Sequence, residues 1–196
     1  PTNTYTPTHT ATITRTPSIT ATPTITSTGT PTPTRPPIEQ LIVDPGFEQH
    51  YPAWVIPPDT TYPAGYASER QHEGSWSMRA GIVYGPDQYS TSAFQQTITL
   101  PPDLRSAICR FYYFPITGDV DGDHQAFMVI QDGTIYPGWQ YLSNEKWWKL
   151  SEFGLLHWAG KTITLRFQVF NDGDGRTTAM YVDDVHDAHR HDSSRQ

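Results

Sequence analysis

The stretch KTITLRFQVF, residues 161–170, alternates without a break. Ile163, Leu165, Phe167 and Val169 fall on one side, Thr162, Thr164, Arg166 and Gln168 on the other. A period of two is the strand period, because successive side chains of an extended chain point to opposite faces. This is therefore a half-buried antiparallel strand. LIVDPGFE, SWSMRAGIVY, SAFQQTITL, SAICRFYYF, QAFMVIQD and TAMYVDDV read as further short strands, set off by polar turns. Eight or nine such strands, and no helix longer than two turns, predict an all-β chain folded as a single jelly-roll β-sandwich. EFGLLHWAG reads as a loop or one turn. Charged residues make up 17% of the chain and aromatic residues 13%, a balance that favours the same class over a helical one.

The segment before this domain is different. Every even-numbered position from 2 to 34 is Thr, apart from Ser18, and prolines fill much of the remainder. Such a composition cannot offset its ordering entropy by burying a core, and it matches an O-glycosylated stalk of an exported protein. Its period adds a second expectation. In an extended conformation the hydroxyls line one face, and Tyr5, Ala11, Ile13, Ile19, Ala21 and Ile25 line the other. The expected O-glycosylation sites are Thr8, Thr10, Thr12, Thr14, Thr16, Thr20, Thr22, Thr24, Thr26, Thr28, Thr30 and Thr32. The chain thus divides into an extended N-terminal Thr/Pro-rich arm over 1–37, a sandwich over 38–187 and a polar tail over 188–196.

A net charge of -7 without Lys/Arg clusters argues against a nucleic-acid partner. No stretch approaches the roughly 20 apolar residues that a transmembrane helix needs. Cys109 is the one cysteine, so no intrachain disulfide forms, and its apolar neighbours AICRFYYF predict a buried, inert thiol. The chain starts at Pro1 and reads as a mature form of an extracellular or cell-surface protein. No H-E-x-x-H or G-x-S-x-G motif occurs, and nothing near Glu69 or Glu73 marks a catalytic pair, so no enzyme is expected.

The opening LIVDPGFEQHYPAW resembles the N-x-G-F-E…W start of galactose-binding-like jelly rolls, the group that includes carbohydrate-binding modules of families 4, 9 and 22. EGSWSMRAG is similar to the family's G-x-x-S-L-R strand, and FQQTITLP to its S-Q-x-V-x-L strand. WAGKTITLRFQVFNDGDGRTTAMYVDDV looks like the closing hairpin. The likeness covers about 38–187, with Asp44 standing where the family more often has Asn. It implies a structural Ca2+ where the first and last strands meet, held by Glu48, by Asp184 and around Glu73. Asp183 and Asp184 are expected on opposite faces of a strand, with Asp184 turned to the ion. GDVDGDH and NDGDG also resemble calcium loops, but neither has the full D-x-[DN]-x-[DN]-G-x₅-E spacing, and ordinary hairpin turns are the favoured reading. The HDAHRH tail reads as solvated.

Trp54 and Trp147 are expected in the core. Trp139, Tyr141, Trp148 and Trp158 are expected near the surface, and Tyr112 with Arg110 along a sheet face. Packing of the sandwich or of a subunit interface is the favoured reading of these aromatics, and a platform on which sugar rings would stack is the other. These readings support two functions, both without catalysis. One is an exported structural subunit that assembles with copies of itself into a filament, sheath or surface layer through its glycosylated arm. The other is a carbohydrate-binding module, on a mucin-like linker, with a glycan as ligand.

Overall fold

Residues 162–171 form the second strand of a four-stranded antiparallel sheet. The computed structural model describes Thr2 and residues 40–191, the side chain of His191 excepted. The chain divides into Pro1–Thr34 and Arg35–Gln196, and the expectations for the arm lie outside the described residues. In chain order the strands are β1 (Gly65–Ala67), β2 (Ser77–Gly81), β3 (Ser90–Thr99), β4 (Leu104–Thr117) and β5 (His124–Gln131). They continue as β6 (Thr134–Tyr141), β7 (Lys149–Gly154), β8 (Thr162–Asn171) and β9 (Thr178–His191). One sheet has the order β1-β2-β9-β4-β7 and the other β3-β8-β5-β6. The two layers make the expected jelly-roll β-sandwich.

The sandwich closes on rings supplied by alternate residues. Phe167 of β8 stacks on Phe94 at 5.2 Å and meets Phe111 edge-on at 4.8 Å and Phe127 at 5.1 Å. Trp54 caps this cluster, 6.1 Å from Phe167. Cys109 is wholly buried among them, and desolvation pushes its thiol far up, which keeps it inert. Gln125 is a wholly buried amide with both of its ends hydrogen-bonded. Its Nε2 donates to the carbonyls of Ile116, Ser143 and Ala179, and its Oε1 accepts from Ser143 N–H. Those bonds tie β5 to both neighbouring strands of the other sheet.

Four expectations need correction. LIVDPGFE is a run of turns: Asp44 and Phe47 have φ of 52° and 60°, and the Asp44 carboxylate accepts Gln49 N–H and Tyr51 N–H. Local side-chain bonds of this kind compete with strand pairing and win here. Residues 188–191 of the expected polar tail are the end of β9, where Ala107 pairs with His189 and Ser106 with Arg190, and the rest of that tail lies outside the described residues. His189 is buried there, its Nδ1 2.9 Å from Asp187 Oδ2, because β4 is long enough to cover it. Trp158 is core, 5% exposed, since the 3-10 turn Leu156–Trp158 swings it inward against Tyr136 and Phe153. Trp147, expected in the core, is 58% exposed, because it sits in the turn that precedes β7.

Gly81, at the end of β2, has φ +88° and faces the backbone of β9, where a Cβ would stand 2.7 Å from Ala179 Cα. Gly81→Ala is expected to cost about 3 kcal/mol, the sum of a left-handed backbone and a clash with main-chain atoms that cannot give way. Urea denaturation of the two proteins measures it.

Candidate functional site

β4 and β9 are neighbours in the five-stranded sheet, and their pairing shifts register twice, between Leu104 and Ser106 and, at the site, between Arg110 and Tyr112. Arg110 opposes His186 and Tyr112 opposes Asp183, so Asp184 and Val185 are left over on β9. Asp184 has φ +50°, the left-handed turn that a bulge needs. The bulge cancels the alternation expected between Asp183 and Asp184. Both carboxylates reach one residue: His72 N–H donates to Asp183 Oδ2 at 2.8 Å, and His72 Nδ1 to Asp184 Oδ2 at 2.6 Å. The imidazole, so held, stacks on Tyr112 with centroids 3.7 Å apart and planes 13° apart.

Beside this stack runs a groove of about 620 Å³ on the sheet face away from the core, lined among others by Arg110, Tyr112, Leu150, Glu152, Asp184 and His186. Strand register builds it, since Glu152, Arg110 and His186 form one row across β7, β4 and β9, and Leu150 sits beside Tyr112. Arg110 Nε lies 2.5 Å from Glu152 Oε1, with both side chains about half exposed. Leu150 is 51% exposed. The groove therefore offers an aromatic ring, an apolar shelf and a donor–acceptor pair, with the carboxylates of Glu152, Asp184 and Asp187 against the single guanidinium of Arg110.

The aromatic residues expected to form a single platform are split three ways. Tyr112 lines the groove, and Trp148 stands behind it, edge-on to His72 at 5.6 Å and to Phe114 at 5.7 Å. Trp139 and Tyr141 stack on each other at 4.5 Å on β6, where Trp139 Nε1 donates to Ser151 Oγ of β7 and the Tyr141 hydroxyl meets that of Tyr113. Trp158 is in the core. His72, Leu150 and Glu152 carry no expectation from the sequence, and His186 falls in the HDAHRH segment that reads as solvated. Only His72 carried a signal there, its place in the RQHEGSW loop before a predicted strand.

His72, Glu73 and Asp184 each bring one ligand atom to within 4.8 Å of the others. Glu48 stands outside that trio, with Oε1 accepting Ser75 N–H and Trp76 N–H at 2.8 Å each. Asp183 and Asp184 nevertheless approach Gly46 together with Glu48, all within 4.0 Å of where its Cβ would be. Burial pushes the Asp183 carboxyl up to about 6, the Asp184 charge adds to this, and N–H donors from His72, Asp184 and Glu73 oppose it. A carboxyl raised above its unfolded value near 3.8 stabilises fully below that value and loses the contribution as pH rises through about 6. In chelator, the stability of the protein relative to Asp183→Asn should thus fall between pH 4 and pH 7; urea titrations at each pH read it.

No family model matches the chain, and no curated protein matches it. Solved structures do. A family 61 carbohydrate-binding module in complex with β-1,4-galactotriose superposes with a TM-score of 0.56 at 16% identity, over 76% of this chain and 97% of that one. The fold is that of a carbohydrate-binding module. A family 16 carbohydrate-binding module matches with a TM-score of 0.50 at 14% identity, over 75% of this chain and 98% of that one. The enzymatically active domain of tailspike protein 4 from bacteriophage CBA120 matches at 0.50 and 10% identity, over 76% of this chain but 21% of that one. At such identities the likeness fixes the architecture, and the ligand must be argued from side chains.

Proposed function

We propose that this chain is a non-catalytic, exported glycan-binding module whose ligand lies in the Arg110–Tyr112 groove. The observation that carries this reading is the open groove itself, which puts an aromatic ring beside a paired donor and acceptor. A pyranose needs that combination: C–H faces pack on a ring or a leucine, and vicinal hydroxyls bond to a charged donor and acceptor at once. The excess of carboxylates over guanidinium in the lining favours a neutral oligosaccharide over a uronic acid. The modules sharing this fold include one solved with a β-1,4-linked galactose trimer, which supports trying β-linked neutral chains first. A glycan array followed by isothermal titration of the full chain tests the proposal. Binding at millimolar Kd or tighter, weakened by Arg110→Ala, is the expected result; no binding across neutral and acidic glycans overturns it.

A structural Ca2+ belongs to the same reading. Asp184 and Glu73 would hold it, with the Glu48 oxygen not taken by the 75–76 backbone, and it would neutralise the acids that gather at Gly46. Calcium removal with a chelator should then lower the melting temperature. Assembly with copies of itself through a glycosylated arm is the second reading, supported by the Thr alternation over 2–34. Sedimentation of the full chain against a chain lacking residues 1–37 tests it.

A further inference from the structure

The two acidic loops that resembled calcium loops in the sequence lie far apart in the chain but meet in the fold. GDVDGDH joins β4 to β5, NDGDG joins β8 to β9, and the loop from β2 to β3 brings Asp87. Oxygens of Asp119, Asp123 and Asp172 lie within 4.8 Å of one another, and those of Asp87, Asp172 and Asp174 make a second such trio. Ordinary turn bonds use part of this cluster. Asp119 accepts Val120 N–H at 2.7 Å and Asp123 N–H at 3.2 Å, Asp172 accepts Asp174 N–H at 3.0 Å, and Asp87 accepts Gly175 N–H at 2.9 Å.

Turn bonds do not account for Asp123. It is 4% exposed; Oδ1 accepts Asp172 N–H at 2.7 Å, while Oδ2 is buried with no hydrogen-bond partner. Burial disfavours the charged form of this carboxyl, while the Thr178 hydroxyl, bonded to Thr117 at 2.6 Å, also hydrogen-bonds to it and favours that form. Asp87 Oδ1 is likewise buried and unpartnered. Against these five carboxylates stands the half-exposed Arg176, 3.9 Å from Asp119. Gly122, at φ +89°, is pressed against Asp172 Oδ2 with no room for a Cβ. A desolvated carboxylate oxygen among other carboxylates needs a counter-charge that one solvated guanidinium does not supply.

We propose that Asp119, Asp123 and Asp172, with Asp87 and Asp174 at the rim, bind one hard divalent cation of the calcium class. The donor set is all oxygen, which suits a hard cation better than zinc, and more than two carboxylates drawn from three loops suit calcium better than magnesium. This position is separate from Glu48, Glu73 and Asp184. Its consequence is mechanical: β2–β3, β4–β5 and β8–β9 each cross between the five-stranded and the four-stranded sheet, so one ion would pin three crossovers.

The test uses the full chain, stripped with chelator and titrated with CaCl2 and, separately, MgCl2 by calorimetry. Asn keeps the Oδ1 acceptor, so Asp123→Asn and Asp172→Asn preserve the turn bonds. Asp184→Asn, which disables the other candidate position, should still bind a calcium equivalent and melt several degrees higher with it. Adding Asp123→Asn and Asp172→Asn should weaken that binding at least about tenfold and abolish the shift. The sign of the apo effect is a second readout. Without calcium these two changes relieve repulsion and should raise the melting temperature; with calcium they should lower it. Calcium bound unchanged by Asp123→Asn and Asp172→Asn, or no binding in Asp184→Asn, overturns the proposal. Neither result bears on glycan binding in the groove, which the array reads independently.

Discussion

Phe167→Ala is expected to lower the unfolding free energy by about 3–5 kcal/mol, the usual range for emptying a large aromatic site. Phe167 is wholly buried and meets Phe94, Phe111, Phe127 and Trp54, so residues from both sheets and from the loop before β1 lose a partner at once. Each ring pair contributes about 0.5–1.5 kcal/mol beyond area burial. Collapse into the cavity is hindered, because its walls are strands held by ladder bonds on both sides. A domain of this size is stable by about 5–15 kcal/mol, so the loss is a large share. Thr164→Ala, on the opposite face of the same strand, removes one exposed hydroxyl pair with Thr97 and should change stability by less than about 0.5 kcal/mol. Equilibrium urea denaturation of the three proteins gives both values, and a Phe167→Ala cost below that of Thr164→Ala would place the core elsewhere.

The strand over 162–171 was legible in the sequence because its apolar face lies on the core along its whole length, while the polar face runs from exposed Thr162 to Arg166, buried beside Asp59. The same holds for 90–99, where Phe94 and Ile98 are buried while Thr97 and Thr99 are exposed. Alternation failed as a guide where a single residue changed the phase. At Asp184 the left-handed backbone shifts β9 by one residue, and period two then predicts the wrong face for its neighbour. The register of β4 against β7 left no local trace either. Glu152 and Leu150 enter the groove only because β7 pairs beside Arg110 and Tyr112, a non-local choice. The tryptophans teach a related lesson. Trp158 and Trp147 are both flanked by mixed polar and apolar residues, and one 3-10 turn decides that the first is core while the second is not.

Tyr112→Ala is expected to reduce glycan affinity at least about tenfold, a loss of roughly 1.4 kcal/mol or more, within the range of one stacking contact and its positioning. Tyr112 is the ring of the groove, and its orientation is fixed from below by His72, itself held by Asp184. Removing the ring also releases the imidazole, so the pocket loses both its flat surface and the group that orients it. Stability should change by only about 1 kcal/mol, because the ring is half-buried and outside the main core. Tyr112→Phe keeps the stack and should keep most of the affinity, which separates stacking from the hydroxyl. Trp139→Ala is the informative comparison, since Trp139 stacks on Tyr141 where β6 meets Ser151 of β7, away from the Arg110–Glu152 pair. Titration of the three variants with the same oligosaccharide decides between the two aromatic surfaces. Loss with Tyr112→Ala and retention with Trp139→Ala assign the ligand to the sheet face; the reverse pattern moves it to the edge of the sandwich.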